Sequence, residues 1–132
     1  MQRMIASAAV AALSVGGFLL VSPASASAAP EKPRPTDEVG VMHAPCGRTA
    51  PDRDNGPWNR TGGGANMRSG SSTSCDITGR ARAGDRLDYH CYTWGNDGYS
   101  WTYLRNHTDD SRSGWVRDHL LADNGSYVSC NF

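Results

Sequence analysis

The chain has 132 residues, with 13 Lys and Arg, 13 Asp and Glu, and a formal net charge of zero. Because neither sign forms a long block, the charge pattern gives no support to nucleic-acid binding or to an electrostatic membrane interaction. Once the N-terminal segment described next is removed, about a hundred residues remain, which is enough for one small domain that needs cross-links for stability.

The first 28 residues have the features of a secretory signal peptide. Arg3 precedes an apolar run over residues 4–21, and small residues that suit signal peptidase follow at 26–28. The run is long enough to serve as a transmembrane anchor instead, but its Ala, Ser and Gly content makes it only weakly apolar. We therefore expect a cleaved signal at 1–28, no membrane attachment after cleavage, and a secreted protein that is extracellular or cell-wall associated.

Residues 29–64 contain many turn-forming residues and few large apolar side chains. Three prolines and several charges occupy residues 29–40, which predicts a tether or a disordered N-terminus. We attribute the scarcity of lysine, with Lys32 as its single instance, to a genome rich in G and C. Cys46 and Trp58 are the obvious anchors of the remainder, so we expect an irregular or partly disordered leader over 29–64.

From residue 65 onward, short apolar segments alternate with turn signals, which is typical of an all-β domain. Residues 95–98, Gly-Asn-Asp-Gly, predict a tight hairpin. Alternation within the strand before this hairpin places Leu87, Tyr89 and Cys91 on one face. The elements expected in chain order are strands at 65–69, within 77–94, at 99–105 and at 114–117, a turn of helix at 118–121, and a last strand at 126–130.

Four short motifs follow one another between residues 65 and 122. They are Asn66-Met-Arg-Ser-Gly-Ser-Ser-Thr, Arg82-Ala-Gly-Asp-Arg-Leu, Trp101-Thr-Tyr-Leu and Gly114-Trp-Val-Arg-Asp-His-Leu-Leu. In order and spacing they resemble the bacterial SH3-like (SH3b) domain family, in its secreted actinobacterial form. Ser71 stands where that family usually has Pro, which loosens the first loop without contradicting the fold. The resemblance and the strand pattern together predict a small SH3-like barrel of about five strands over 65–132, with a C-terminal tail.

The four cysteines are Cys46, Cys75, Cys91 and Cys130. In an exported chain they predict two disulfides, and the absence of a tight Cys-x-x-Cys pair disfavours a zinc site. Four cysteines allow three pairings. Because the ends of an SH3-like barrel approach one another, the resemblance implies that Cys46 pairs with Cys130 and Cys75 with Cys91.

No set of residues in the sequence predicts an enzyme. Cys91 with a histidine base could form a nucleophilic pair, but the cysteines of an exported chain are better used as bridges, and no Gly-x-Ser-x-Gly elbow is present. Asp109 and Asp110 lie in a predicted polar turn, where His107 beside them offers too few ligands for a metal ion. We expect no catalytic residue, no metal and no cofactor.

Residues 89–103 contain six of the eleven Phe, Trp and Tyr residues of the chain. If the domain has a single core, each strand has one inward face, and these rings cannot all be buried. An exposed aromatic strip would bind extended peptides or glycans, although the rings could instead cover the barrel ends and stack on one another. The candidates for this strip are Tyr92, Trp94, Tyr99 and either Trp101 or Tyr103, whereas Trp115 is expected to pack inside.

The resemblance to SH3b domains implies a targeting role, because members of that family commonly bind cell-wall peptides and are often attached to a hydrolase. With no hydrolase in this sequence, we expect a free-standing, monomeric binding module for peptidoglycan, an extended peptide or another protein. Two alternatives remain open. One is a secreted inhibitor or effector that presents the Arg-rich hairpin 105–117 on a disulfide scaffold, and the other is a minimal cell-wall hydrolase.

Overall fold

Five antiparallel strands account for almost all the regular structure of the residues that can be described. The computed structural model describes residues 31–34, 43–58, 61 and 64–132, so the predicted signal peptide and residues 35–42 lie outside the described part. The strands are β1 (Ala65–Arg68), β2 (Ile77–Ala81), β3 (Leu87–Trp94), β4 (Ser100–Asn106) and β5 (Arg112–Arg117), and a single 3-10 turn, Asp118–Leu120, follows β5. These elements confirm the predicted all-β class with five strands and a short helical turn. None of the described residues forms a helix long and apolar enough to cross a bilayer.

The strands form one sheet in the order β2-β1-β5-β4-β3. Within the described residues no ladder joins the edge strands β2 and β3, so the sheet is open and resembles the predicted barrel only loosely. The connection between these strands is bridged to the leader instead, through an isolated pair of Thr61 and Ala83.

The structure tests three of the predicted elements: the hairpin at 95–98, the strand within 77–94 and the strand at 126–130. The hairpin at 95–98 is confirmed, because the Gly95 carbonyl accepts the Gly98 N–H at 3.2 Å. The single strand predicted within 77–94 is two strands, since the Asp85 carboxylate and N–H both bond the backbone of Arg82 and form a turn. The strand predicted at 126–130 is wrong.

The tail at 126–130 fails to form a strand because its serines compete for the backbone. Ser126 Oγ accepts the N–H of Val128, and Ser129 Oγ accepts the N–H of Asn131, both at 3.2 Å. Local side-chain bonds of this kind replace ladder bonds. Only one isolated bridge, between Tyr92 and Ser129, remains.

An apolar cluster lies on each face of the sheet, contrary to the expectation of a single core. On β4, Leu104 belongs to the first cluster whereas Trp101 and Tyr103 belong to the second, so both faces of this strand are buried. The first cluster contains Ala65, Met67, Ala81, Leu87, Tyr89, Leu104, Val116 and Leu121. The second contains Ala44, Ala50, Cys91, Trp101, Tyr103, Trp115 and Cys130, with Phe132 packed against it.

The irregular leader and the tail therefore supply the cover for the second face. The described leader residues 43–58 contain no helix or strand, and Cys46 anchors them through a disulfide. Trp58, the other expected anchor, is 43% exposed and stacks on the ring of His107.

A bulge in β3 changes the face on which Cys91 lies. Tyr89 pairs with Leu104 and Cys91 pairs with Tyr103, so His90 is an extra residue in the ladder. An inserted residue shifts the alternation by one position. Cys91 is thus in the second cluster, opposite to Tyr89, and the prediction that these residues share a face is wrong.

Both disulfides are present, but their pairing differs from the one that the resemblance implied. Cys46 bonds Cys75, and Cys91 bonds Cys130. The leader runs beside the loop after β1, where the Gly47 N–H donates to the Ser69 carbonyl at 2.8 Å, and this brings Cys46 to Cys75. The bulge turns Cys91 toward the face along which the tail returns. Two disulfides are typical of proteins that fold in an oxidising, extracellular setting.

Candidate functional site

The five candidate rings are divided among three environments. Trp101 and Tyr103 are buried in the second cluster, with exposed fractions of 1% and 8%, so neither belongs to an exposed strip. Tyr103 packs on Trp115 with ring centroids 5.1 Å apart, and the Trp101 indole N–H donates to Asp97. The expectation that one of them is exposed was wrong because it assumed a single core.

Tyr99 is exposed and belongs to a local group at the β3–β4 hairpin. Its ring lies 4.9 Å from that of His119 and 4.5 Å from the Arg117 guanidinium. Arg117 donates two hydrogen bonds to Asp97, from Nε at 3.1 Å and Nη2 at 2.7 Å. Burial favours a higher pKa for Asp97, but bonds from the Tyr99 N–H, Arg117 and Trp101 outweigh it and hold the pKa below its usual value.

Tyr92 and Trp94, at the end of β3, form the third environment. Together with Tyr127 they line a groove whose free volume is about 480 Å³, and the same free volume is bordered by Pro33, Arg34, Ser129 and Phe132. Tyr127 is 42% exposed, whereas Tyr92 is buried, so the expectation that Tyr92 is an exposed ring is wrong. We call this the aromatic groove, and Tyr92, Trp94 and Tyr127 are its walls.

Residues 31–34 of the chain itself, which we call the arm, pack against these ring walls, and Pro33 and Arg34 line the volume that stays free beside them. The Trp94 Nε1–H donates to the Pro33 carbonyl at 2.8 Å, and the Tyr92 hydroxyl donates to the same oxygen at 3.4 Å. The Arg34 guanidinium lies 4.6 Å from the centre of the Trp94 ring. The arm is therefore docked, and the prediction of a tether or disordered segment is wrong for these four residues.

Lys32 is the deepest residue of the arm and is only 3% exposed. Its Nζ donates to Asp118 Oδ2 at 2.5 Å and to the Asn124 carbonyl at 2.6 Å. The rings of Tyr92 and Tyr127 lie 5.0 and 4.9 Å from the same nitrogen. Burial lowers the pKa of the Lys32 ammonium, and the charge of Asp118 opposes this effect.

Asp118 is held in place from the opposite side of its carboxylate. Oδ1 accepts the Thr102 hydroxyl at 2.5 Å, and that hydroxyl oxygen in turn accepts the Ser126 N–H at 2.9 Å. Gly125 passes so close that a Cβ there would lie 2.4 Å from Asp118 Oδ1. Burial raises the pKa of Asp118, whereas Lys32 lowers it. The result is a fixed carboxylate at the bottom of an aromatic cage, an arrangement that suits an ammonium group.

Sequence reasoning found two walls of this site and missed its charged centre. Nucleotide composition accounts for a single lysine without giving it a role, and the pattern around Asp118 predicts only a turn of helix. The two residues are 86 positions apart, so no local pattern connects them. One signal was available: a single lysine within the proline-rich stretch Pro-Glu-Lys-Pro-Arg-Pro.

A second polar cluster lies away from the groove. One donor atom each from Asp52, Asp88 and His90 lie within 4.8 Å of one another. Nε2 of His107 lies 3.8 Å from Asp88 Oδ2, although the sequence had placed His107 beside Asp109 and Asp110.

No family model, curated protein or solved structure matches the chain. Function is therefore inferred from the chemistry of the groove and of this cluster.

Proposed function

We propose that this protein is a secreted, non-catalytic binding module of the SH3-like kind, whose aromatic groove binds an extended peptide that carries a side-chain ammonium. The observation that carries the proposal is the arm, which packs against the ring walls of the groove with the contacts such a ligand would make. Bacterial cell-wall peptide is the ligand class we favour, in keeping with the resemblance to SH3b domains.

The backbone contacts of the arm are those of peptide recognition. Proline-rich segments dock in aromatic-lined grooves because their extended backbone is already ordered before binding. Here the indole N–H of Trp94 and the hydroxyl of Tyr92 both reach one carbonyl, that of Pro33. These contacts require an extended chain but no particular side chain at that position.

The aromatic cage around the Lys32 ammonium, with Asp118 at its bottom, gives the groove its selectivity for a ligand with an amine. A ligand without an amine would leave the buried carboxylate of Asp118 unpaired, and an unsatisfied buried group costs about 1–3 kcal/mol or more when it is charged. Aromatic faces add cation–π attraction, which grows as the site is desolvated. The groove should therefore discriminate strongly between a lysine-bearing peptide and an isosteric neutral one.

Lys32 must leave the cage before the ammonium of another peptide can enter it. An internal occupant lowers the apparent affinity of a ligand in proportion to the fraction of molecules in which the groove is open. The absence of catalysis is part of the proposal, and it is supported by the use of all four cysteines in disulfides, which leaves no thiol nucleophile.

The test is sedimentation of the mature protein with insoluble peptidoglycan, using Trp94→Ala and Tyr127→Ala as groove variants. Tyr99→Ala is the matched control, because Tyr99 is a similarly exposed ring that does not line the groove. Each variant is first checked for a native fold by circular dichroism. We expect the groove variants to lose at least tenfold in binding and the control to match wild type.

The Lys32→Ser variant distinguishes two reasons for a failure of wild type to bind peptidoglycan: the arm blocks the site, or the protein has no such function. If the arm competes with the ligand, this variant should bind peptidoglycan more strongly than wild type. Absence of binding by both wild type and Lys32→Ser would eliminate cell-wall peptide as the ligand. Equal losses in Trp94→Ala and Tyr99→Ala would place the site outside the groove.

A further inference from the structure

The cluster around Asp88 combines imidazole and carboxylate groups from three parts of the chain. Asp88 and His90 lie on β3, Asp52 lies in the leader, and His107 follows β4. None of these residues lines the aromatic groove. The cluster is therefore independent of the proposed peptide site.

The β3 bulge and the leader fix the orientation of His90. The Arg53 N–H donates to the His90 carbonyl at 3.0 Å, which holds the leader against the bulged residue. On the ring, Nδ1 lies 3.4 Å from the Ala50 carbonyl. A histidine that donates from Nδ1 to a carbonyl presents the lone pair of Nε2, and this arrangement is common for metal-binding histidines. Bulges also re-aim side chains near functional sites.

His107 approaches the same carboxylate from another direction. Its ring stacks on Trp58 with centroids 3.7 Å apart, and the Arg86 guanidinium lies 4.5 Å from the Trp58 ring. This stack orients the imidazole. Nε2 of His107 is buried and has no hydrogen-bond partner among the described residues, although Asp88 Oδ2 is 3.8 Å away.

The distances from the two histidine nitrogens to the Asp88 carboxylate are longer than hydrogen bonds. His90 Nε2 and His107 Nε2 each lie 3.8 Å from Asp88 Oδ2, beyond the range of about 2.7–3.2 Å for such a bond. Two zinc–ligand bonds of about 2.0–2.2 Å in tetrahedral geometry separate their donor atoms by about 3.4 Å. A movement of a few tenths of an ångström would therefore bring either nitrogen and the oxygen onto one ion.

We propose that Asp52, Asp88 and His90 bind a divalent transition-metal ion, with zinc as the physiological candidate, and that His107 completes the ligand set. Imidazole and carboxylate donors together suit zinc, nickel and copper, whereas calcium and magnesium prefer all-oxygen sites. Because Asp52 belongs to the leader and Asp88 and His90 belong to β3, the ion fastens the leader to β3. This departs from the sequence expectation of no metal, which considered a four-cysteine site and the hairpin tip at 107–110.

The test is a zinc titration of tag-free, chelator-treated protein by calorimetry, followed by thermal unfolding with and without zinc. We expect one ion per chain and a higher unfolding temperature with zinc, because a ligand that binds only the native state stabilises it. Asp88→Asn and His90→Gln should weaken zinc binding at least tenfold. His119→Gln is the control, because His119 is an exposed histidine that contacts Tyr99 outside the cluster.

A second readout uses the wild-type protein alone. Substoichiometric Co²⁺ should broaden the ring proton signals of His90 and His107 and leave those of His43 and His119 sharp. Saturating calcium or magnesium should leave the unfolding temperature unchanged. Failure of wild type to bind zinc below 100 µM would overturn the proposal, as would equal weakening by His119→Gln and His90→Gln or uniform broadening of all four histidines.

Discussion

At the scale of single residues, Lys32 departs furthest from its sequence interpretation. A feature attributed to nucleotide composition is a buried cation between Asp118 and the rings of Tyr92 and Tyr127. Removing one partner of a buried ion pair costs roughly 3–5 kcal/mol, because the other charge stays desolvated. Only residues 31–34 form the docked arm, so we expect it to undock in such a variant and let water reach Asp118.

Lys32→Met should therefore release the arm without unfolding the domain. We expect the Trp94 indole proton, which bonds Pro33 in the docked state, to exchange with solvent much faster in this variant. Arg34→Met is the control, because its exposed cation–π contact contributes only about 0.5–1 kcal/mol. Hydrogen exchange followed by NMR measures the exchange rate of this indole proton in both variants. An unchanged rate in Lys32→Met would show that the ion pair does not hold the arm.

Asp97 gives a pH-dependent prediction. Its pKa is lower in the folded state, so the unfolded chain binds a proton more readily, and the stabilisation is complete above the unfolded pKa of about 3.9. It is lost as the pH falls through that value toward the folded pKa. Urea midpoints of wild type and Asp97→Asn should differ most at neutral pH and converge in acid. A pH-independent difference would contradict this assignment.

At the scale of elements, local patterns predicted the strands but not what covers them. Alternating side chains and the Gly-Asn-Asp-Gly turn are short-range signals, and they located β3, β4 and the hairpin between them. The bulge at His90 leaves no such signal, because Leu-Asp-Tyr-His-Cys-Tyr reads as a regular alternation. The burial of both faces of β4 could not be predicted from local patterns either, because irregular segments of the leader and the tail cover its second face.

The hairpin should be sensitive to a side chain at Gly95. A Cβ at this position would lie 2.6 Å from Trp101 Nε1 and 2.7 Å from the Ser71 carbonyl oxygen, and that backbone atom cannot easily move. Gly95→Ala should lower the free energy of unfolding by about 1–3 kcal/mol. Gly98→Asn should cost less than about 1 kcal/mol, because Gly98 has open space and asparagine tolerates its φ of 79°. Urea denaturation that ranks them in the opposite order would contradict the hairpin geometry.

At the scale of the whole molecule, the disulfides attach the leader and the tail to the sheet. Non-reducing peptide mapping should recover Cys46 with Cys75 and Cys91 with Cys130. The bridges close loops of 29 and 39 residues, for which chain entropy predicts about 4 kcal/mol each, with measured values typically 2–4 kcal/mol. Replacing Cys91 and Cys130 by alanine should be the more costly change, since both are buried in the second cluster. Recovery of a Cys46–Cys130 peptide would contradict the described topology.

The fold class was predictable from the sequence to a greater extent than the site. Two of the five candidate rings, Tyr92 and Trp94, line the aromatic groove, because their position next to the hairpin follows from strand pattern alone. The cage also needs Lys32, Asp118 and Tyr127, which come from the arm, the 3-10 turn and the tail. Only the assembled chain brings these segments together.

The central claim is that the aromatic groove is a peptide site whose ammonium cage the arm occupies through Lys32. It is tested most directly by titrating Lys32→Ser with a synthetic peptide of residues 29–36, while the Trp94 indole signal is followed by NMR. We expect this peptide to bind and return the signal to its wild-type position, and a peptide with norleucine in place of lysine to bind at least tenfold more weakly. Equal binding of the two peptides, or binding of neither, would contradict the claim.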